Sequence, residues 1–187
     1  MKKVILFLLA SSLLMVACNN DKKDESTEKK DAASSENKDA TMSGPTKAEK
    51  NRQTALASVM AFNSHDVDAM LKDVTPDGVD YGDGGMAPIK NIDSLKAGIK
   101  AWMNACPDIK GENLTALSDA DGSHVIVVGQ WSGTFKNDFM GMKGTGKSFK
   151  YWDGDLFTFN SDGKITEHRS IQSSMTVMAQ VGAKMPK

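Results

Sequence analysis

A change in hydrophobic periodicity after Pro107 constrains the fold of this chain more than any other feature. Before that point apolar residues recur at helical spacing, and after it they alternate with polar residues. The alternating stretches are ENLTALSD, HVIVVGQWSGTF, KSFKYWDGDLFTFN and KITEHRSIQSSM. Turn-forming segments separate them, and NSDG before Lys164 is typical of a tight hairpin. Helices followed by neighbouring strands predict an α+β fold, with helices on one face of an antiparallel sheet.

Three helices are predicted ahead of these strands. They cover residues 46–63, 67–74 and 94–106. Ser64 or Asp66 can cap the second helix, which we expect to end before Pro76, and a short strand, VDYGDGG, follows it. Asn91 or Asp93 can cap the third helix, whose apolar residues share one face.

The N-terminus predicts export and lipid attachment. Lys2 and Lys3 precede an apolar run from residue 4 to 16 that is too short to span a membrane well, so residues 1–17 are interpreted as a signal peptide. Ala17 followed by Cys18 resembles the cleavage site of bacterial lipoproteins, in which the cysteine carries the lipid. We therefore predict Cys18 as the lipid attachment site and the outer membrane, on its periplasmic or surface face, as the location.

Residues 18–44 are predicted to tether the anchor to a globular domain at 45–187. The segment mixes acidic and basic residues and has no aromatic residue and no Leu, Ile or Val, so it cannot bury enough apolar area to offset its ordering entropy. Its acidic, lysine-rich start resembles the surface-export signal of Bacteroidetes lipoproteins. No internal repeat is visible, and the remaining length suits one domain.

Charge and cysteine content exclude several classes of function. The net charge is −1 and no basic run follows the tether, so nucleic acid is not a predicted partner. Apart from Cys18 the only cysteine is Cys106, which rules out an internal disulfide and a cysteine-based zinc site and is interpreted as a small buried hydrophobe. The histidines His65, His124 and His168 have no metal-ligand spacing, so neither a metal nor another cofactor is predicted.

The segment GMKGTGKS, residues 141–148, matches the pattern of a nucleotide-binding loop. Such a loop needs a helix directly after its Lys-Ser, so that backbone N–H groups face the phosphates. Here Ser148 is followed by FKYWDGDLFTF, which is aromatic, alternating and typical of a strand. We therefore predict a connection between two strands and no binding of ATP or GTP.

The same region resembles SnoaL-like proteins of the nuclear transport factor 2-like superfamily. Their strand-loop-strand pattern, G-T-H-x-G-x-F-x-G-x-x-P-T-G-K-x-V, is similar to GTFKNDFMGMKGTGKSF at 133–149. NSHDVDAM, CPDI and DGKITEHRSIQSSMTVMAQVGA are similar to further motifs of that family in the same order. The resemblance covers about residues 50–183. It implies a cone-shaped, strongly curved sheet with three helices enclosing an apolar pocket.

The resemblance also implies where catalytic groups are expected. Catalytic members of the family use a His on the first strand of the hairpin and an Asp on the closing strand. Phe135 stands at the position of that His and Ser173 at that of the Asp, and neither side chain replaces an acid–base pair. The resemblance therefore favours a protein without the family's usual catalysis.

Other polar residues remain as weak catalytic candidates. If Ser173 points into the pocket, strand alternation places Glu167 and Arg169 on the same side and His168 on the opposite side. Glu167 and Arg169 would then bind a polar group of a ligand, or they form an ion pair in solvent. Asp155 is a further candidate, although its strand position favours a solvated convex face.

Aromatic residues and Met supply the predicted pocket wall. The pocket candidates are Trp102, Trp131, Phe135, Phe139, Arg169 and Ser173. A wall of this kind with one or two polar anchors is typical of a site for small apolar molecules.

The sequence is compatible with two functions. The first is a non-catalytic lipoprotein that binds a small, largely apolar ligand or serves as an interaction module. The second is an isomerase, cyclase or hydrolase that uses Glu167, Asp155 or His168. A homodimer is also predicted, because the aromatic strand KSFKYWDGDLFTF offers an apolar outer surface.

Overall fold

The computed structural model describes residues 44–184 of the chain, and the predicted signal peptide and most of the predicted tether, including Cys18, lie outside these residues. The helices are α1 Lys47–Asn63, α2 Val67–Leu71, α3 Ile92–Ala105 and α4 Met175–Val181. The strands are β1 Val74–Asp80, β2 Ile89–Lys90, β3 Lys110–Ser118, β4 His124–Phe135, β5 Lys147–Phe159 and β6 Ile165–Ser170.

Side-chain caps define where the predicted helices begin. Thr46 and Glu49 form a capping box at α1, in which each side chain accepts a hydrogen bond from the backbone of the other residue. The Asp66 side chain caps α2 through the backbone N–H of Ala69, and the Asn91 side chain caps α3 through that of Ser94, at 3.0 Å.

The strands form one six-stranded sheet in the order β2-β1-β6-β5-β4-β3. The long hairpin of β4 and β5 pairs without interruption from His124 opposite Thr158 to Phe135 opposite Lys147. Helices followed by a meander of strands were predicted, and the α+β class with a curved sheet is confirmed.

Strand β1 departs from the predicted pattern because it pairs parallel with β6. It also begins at Val74 rather than at Val79 and contains Pro76, which we expected to lie before the strand. The register with β6 shifts between Val74 and Val79, so Pro76 lies in the irregular stretch, where its missing N–H costs no ladder hydrogen bond.

The closing segment is the largest error in the predicted secondary structure. We expected one strand through residues 164–175, but β6 ends at Ser170 and the chain turns into α4. A bulge also lies within β6, because Phe159 pairs with Ile165 while Thr158 pairs with Glu167. The extra residue, Thr166, shifts the alternation of every side chain that follows it.

The core lies between the inner face of the sheet and the helices. Its fully buried members include Ala55 of α1, Val125 and Phe135 of β4, and Val181 of α4. Cys106 is buried as predicted, and burial raises the pKa of its thiol to about 12, so the thiolate is disfavoured.

The loop that contains GMKGTGKS connects β4 to β5. Strand β5 begins at Lys147, so a strand and not a helix follows the Lys-Ser pair, which confirms the structural part of that prediction. Phe139 and Met142 bridge the loop through reciprocal backbone hydrogen bonds.

Candidate functional site

A polar cluster lies on the inner face of the sheet where β1, β5 and β6 meet. His168 of β6 is its centre. Its Nδ1 is 2.9 Å from Oδ1 of Asp80, at the end of β1, and its Nε2 is 3.1 Å from Oδ1 of Asp155, on β5. Both ring nitrogens are therefore held by carboxylates.

Strand register explains why these three residues meet. The parallel pairing of β1 with β6 places Asp80 opposite His168, and β5 places Phe157 opposite the same histidine. Asp155 is two residues before Phe157 and therefore shares its face. The Phe157 ring covers the imidazole, with 5.1 Å between the ring centroids.

The cluster is largely shielded from water, with 28% of the His168 side chain, 24% of Asp80 and 15% of Asp155 exposed. Burial opposes protonation of His168, but the hydrogen bonds to Asp155 and Asp80 outweigh it and raise the pKa of the imidazole to about 10. Burial would likewise raise the pKa of Asp80, yet the hydrogen bond from His168 holds it below the usual value. At neutral pH the cluster is an imidazolium between two carboxylates.

One carboxylate oxygen of this cluster has no partner. Oδ1 of Asp155 accepts from His168, whereas Oδ2 is buried and makes no hydrogen bond. Among the described residues, the hydroxyl of Thr75 is the only other buried side-chain atom in this situation. A buried acceptor without a donor is costly, and in a native protein it calls for an explanation such as a bound water or a role in chemistry.

Asp153 lies two residues before Asp155 on the same inner face of β5, and both of its carboxylate oxygens accept hydrogen bonds. Its Oδ2 accepts from the Ser170 hydroxyl at 2.6 Å, and its Oδ1 accepts from the backbone N–H groups of Gln172 and Gly154. Burial raises the pKa of Asp153 above its usual value despite these hydrogen bonds. This carboxylate ties the end of β6 to β5 and has no oxygen left for a ligand.

The predicted faces of β5 and β6 were wrong. His168 and Ser170 point inward, whereas Glu167 lies on the outer face and Arg169 is exposed there, with its guanidinium 3.7 Å from the centroid of the Tyr81 ring. Alternation was counted back from Ser173, but β6 ends at Ser170, and the bends and turn at residues 171–174 do not keep the two-residue alternation of a strand. Asp155 likewise points to the core and not to a solvated convex face.

Ser173 also lies away from the predicted pocket. It is exposed in the turn before α4, where the Asp83 carboxylate accepts hydrogen bonds from its hydroxyl and from the backbone N–H of Ser174. The expectation that Phe135 and Ser173 face one cavity is therefore wrong, because the chain leaves the sheet before Ser173. Phe135 is fully buried.

The four predicted aromatic residues gather in the core. Trp131 and Phe135 are buried, and Trp102 and Phe139 pack against the same cluster with their ring centroids 5.2 Å apart. Whether they line a ligand site stays a prediction. None of the predicted pocket residues lines the open surface groove of about 560 Å³ at the start of β3 or the groove of about 230 Å³ beside α1.

The other two histidines lie outside this cluster. His65 is exposed in the turn between α1 and α2, and His124 is exposed at the start of β4 beside Asp119. Within residues 44–184, no group of His, Cys, Asp and Glu is arranged to hold a metal ion. None of the helices in that part of the chain is both long and apolar enough to cross a membrane.

Asp80 is the member of the site that sequence reasoning missed. The stretch VDYGDGG was interpreted as a short strand, and its aspartate was not considered as a candidate. The available signal was a carboxylate at the end of a strand, just before a glycine-rich turn. Its partner lies 88 residues away, and no local pattern identifies it.

Comparison with known proteins gives one family and a consistent fold. The family described as SnoaL-like polyketide cyclase matches residues 52–181. A candidate polyketide cyclase from Xanthomonas campestris pv. campestris has a similar structure, with a TM-score of 0.66, 20% identity, and coverage of 73% of this chain and 99% of that one. No curated protein sequence matches the chain significantly.

Two Streptomyces proteins are similar in the same way. AclR, a candidate hydroxylase from Streptomyces galilaeus, has a TM-score of 0.60 and 22% identity over 74% of this chain and 99% of its own. IdmH, a candidate polyketide cyclase from Streptomyces antibioticus, has a TM-score of 0.55 and 24% identity over 71% of this chain and 98% of its own. At these identities the likeness establishes the fold alone.

Proposed function

The chain belongs to the SnoaL-like polyketide cyclase family, and on that premise we propose that it is an exported, lipid-anchored protein that catalyses proton transfer on a small, largely apolar molecule. The observation that carries this proposal is the unpartnered Oδ2 of Asp155, in a carboxylate whose other oxygen is held by an imidazolium. Structural neighbours named as polyketide cyclases support the reaction class.

Asp155 is the base in this proposal. Its Oδ2 takes a proton from the carbon next to a substrate carbonyl, the C–H electron pair enters the enolate, and the proton returns to the product. His168 cannot touch the substrate with a ring nitrogen, because Asp80 and Asp155 hold both. It acts as a positioning residue that fixes the Asp155 carboxylate. Oδ2 is closed off from solvent, so substrate reaches it only after neighbouring side chains shift.

Deuterium uptake tests this role without knowledge of the natural substrate. A β-dicarbonyl ester in D₂O is incubated with the protein, and incorporation at its acidic carbon is followed by NMR. We expect Asp155→Asn to lower the rate by about 100-fold or more, since general-base catalysis contributes effects of that order. Asp121→Asn, in an exposed turn, is the matched control. Equal rates for wild type and Asp155→Asn contradict the proposal.

A non-catalytic ligand-binding domain is the second candidate. It is favoured by Phe135, which stands where the resemblance to the family expects a histidine and is fully buried. The cluster would then be a structural clamp between three strands. Mass spectrometry of small molecules that co-purify with the protein, together with absence of deuterium uptake, supports this candidate over the enzyme.

The lipid anchor is tested separately. Cys18 provides the only thiol at the predicted cleavage site, so Cys18→Ala should release the protein from the membrane fraction. A variant that stays membrane-bound, with the same processing as wild type, contradicts the anchor and leaves the enzymatic proposal untouched.

Two further interactions remain predictions. Sedimentation of the protein at tens of micromolar should show a homodimer, and the exposed Trp152 and Ile171 on the outer face support this proposal.

Calorimetric titration with Mg-ATP should give no heat, and Lys147→Ala should change nothing. Saturable ATP binding that disappears in Lys147→Ala contradicts the second prediction.

A further inference from the structure

Tyr151 of β5 lies on the same inner face of the sheet as Asp153 and Asp155. The three residues occupy alternate positions of one strand, and β4 places the buried Trp131 and Val127 opposite the first and the last of them. Residues at alternate positions of a strand point to the same side of the sheet. The phenol of Tyr151 is therefore on the side where the proposed base lies.

A row of aromatic rings positions the Tyr151 side chain. The ring centroids of Tyr151 and Phe149 are 5.9 Å apart, and the Phe149 ring stacks on Trp102 at 6.2 Å. Trp102 in turn contacts Phe139. Trp102, Phe139 and Tyr151 are each half-buried, so the row runs between solvent and the core. It offers an apolar molecule a surface to pack against beside the carboxylates.

The hydroxyl of Tyr151 is a hydrogen-bond donor without an acceptor. It makes no hydrogen bond within residues 44–184 and, unlike Oδ2 of Asp155, it is not closed off from solvent. Burial of the side chain and the charges of Asp153 and Asp155 raise the pKa of the phenol above its usual value. The hydroxyl therefore keeps its proton at neutral pH and is able to donate a hydrogen bond to a ligand.

Removal of a proton next to a carbonyl leaves negative charge on the carbonyl oxygen, and a positioned donor there typically contributes about 100-fold to 1,000-fold in rate. The donors of the polar cluster are already engaged. Both nitrogens of His168 are held by Asp80 and Asp155, and the Ser170 hydroxyl donates to Asp153. The donor for a substrate oxygen must therefore come from a neighbouring residue.

We propose that Tyr151 is a second catalytic residue whose hydroxyl donates a hydrogen bond to the carbonyl oxygen of the substrate, an assignment that rests on the proposed function of Asp155. When Asp155 takes the proton, the C–H electron pair forms the C=C bond of the enolate and the carbonyl π pair moves onto the oxygen that Tyr151 contacts. The phenol keeps its own proton, and the electrons return to carbon when Asp155 gives the proton back. The Cα atoms of residues four apart in a strand are about 13 Å apart, a span that the two side chains and a dicarbonyl can bridge.

Deuterium uptake by the β-dicarbonyl ester separates this role from that of Asp155. We expect Tyr151→Phe, which keeps the ring, to lower kcat by about 100-fold and to change KM by less than about threefold, because the hydrogen bond strengthens only as charge develops. Tyr81→Phe, at the chain's other tyrosine, is the matched control and should retain the wild-type rate. A wild-type kcat in Tyr151→Phe, with Asp155→Asn inactive, overturns this assignment and leaves the base in place. Equal rates for wild type and Asp155→Asn overturn both.

Binding of a stable oxyanion tests the hydroxyl without turnover. The probe is 4-nitrophenolate, and Asp155→Asn removes the charge of the base, as proton uptake does. We expect calorimetry to show saturable binding to Asp155→Asn that is at least about tenfold weaker in the double variant with Tyr151→Phe, since a hydrogen bond to a charged group is lost. Neutral nitrobenzene should bind both variants equally. Equal affinity of the two variants for the phenolate, or no saturable binding, overturns the proposal even where Asp155 acts as the base.

Stability distinguishes a free hydroxyl from a structural one. Tyr151→Phe should unfold at the wild-type melting temperature or slightly above it, because the hydroxyl has no partner to lose within the described part of the chain. A melting temperature lower by more than about 4 °C would mean that the hydroxyl is held by the fold, and it would overturn the assignment.

Discussion

Two histidines of this chain contact aspartates at nearly the same distance in very different surroundings. His124 Nδ1 is 2.8 Å from Oδ2 of Asp119, five residues away, and 56% and 37% of the two side chains are exposed. His168 Nδ1 is 2.9 Å from Oδ1 of Asp80, 88 residues away, with 28% and 24% exposed. Only His168 has a second carboxylate, that of Asp155, on its other nitrogen.

The contrast shows that a short contact does not by itself identify a functional group. The hydrogen bond from His124 lowers the pKa of Asp119, but both groups remain hydrated, so the pair does little more than close the turn before β4. At His168 burial strengthens every charge interaction and makes the loss of one partner costly. Four predictions test this difference, from the largest expected effect to the smallest.

Replacing the central histidine should have the largest effect on stability. His168→Gln leaves Asp80 and Asp155 facing each other without the cation between them. We expect the free energy of unfolding to fall by about 3 kcal/mol, the lower end for a broken buried pair, because the ring is partly exposed. Urea denaturation measures this change.

A double variant separates the repulsion between the two carboxylates from the loss of the imidazole ring itself. Asp80→Asn together with His168→Gln removes one of the two facing carboxylates and should recover part of the lost stability. A loss below about 1 kcal/mol in the single variant would place His168 with ordinary surface pairs and remove the contrast with His124.

The pH dependence of unfolding gives the second test. The pKa of His168 is raised to about 10 in the folded protein, above its ordinary value near 6.5, so the folded state holds an additional proton between these values. The stabilisation is fully present below about pH 6.5 and is lost as the pH rises to about 10, by at most about 1.4 kcal/mol per pH unit.

The measurement compares wild type with His168→Gln from pH 6 to pH 10. The difference in unfolding free energy between them should shrink as pH rises. Asp80 acts at the other end of the scale, since its lowered pKa gives stability that is lost as pH falls through acidic values. A difference that is constant from pH 6 to pH 10 is incompatible with a buried imidazolium.

Asp153 provides the third and smaller effect. Asp153→Asn keeps the shape and one acceptor oxygen, and its amide N–H can donate to the Ser170 hydroxyl. We expect a loss of about 1 kcal/mol in urea denaturation, the value of a typical hydrogen bond. A loss as large as that of His168→Gln would contradict this ranking, because the hydrogen-bonded carboxylate would then hold β6 to β5 as strongly as the histidine cluster does.

The exposed pair should show the smallest effect. His124→Gln leaves Asp119 hydrated and hydrogen-bonded to Ser123 and to the backbone of residue 124. The thermal midpoint should move by no more than about 2 °C, as for an exposed ion pair. A shift comparable to that of His168→Gln would mean that local contact geometry, rather than burial, sets the importance of these histidines.

Much of the fold was accessible from the sequence because it depends on local signals. Apolar periodicity indicated helices before strands, and the caps at Thr46, Asp66 and Asn91 lie where the helices begin. The β-forming residues after Ser148 identified a strand behind GMKGTGKS. Each of these features is decided by neighbours within a few residues, which is the range over which sequence patterns are informative.

The candidate site was less accessible, although Asp155 and His168 were named as weak candidates. Alternation counted from Ser173 placed His168 on the wrong face, because β6 ends at Ser170 and the bends and turn that follow do not keep the two-residue alternation of a strand. No pattern in KITEHRSIQSSM indicates that the strand ends at Ser170.

The sequence by itself determined the α+β order of elements, the strand after the glycine loop and the resemblance to a family. Only the tertiary structure decided that Asp80, Asp155 and His168 form one cluster. Parallel pairing of β1 with β6 brings together residues 88 positions apart, and burial beneath Phe157 converts their contact into a strongly coupled group. Local periodicity carries no information on which distant strands pair or on how deeply their side chains are buried, because both depend on the packing of the whole domain.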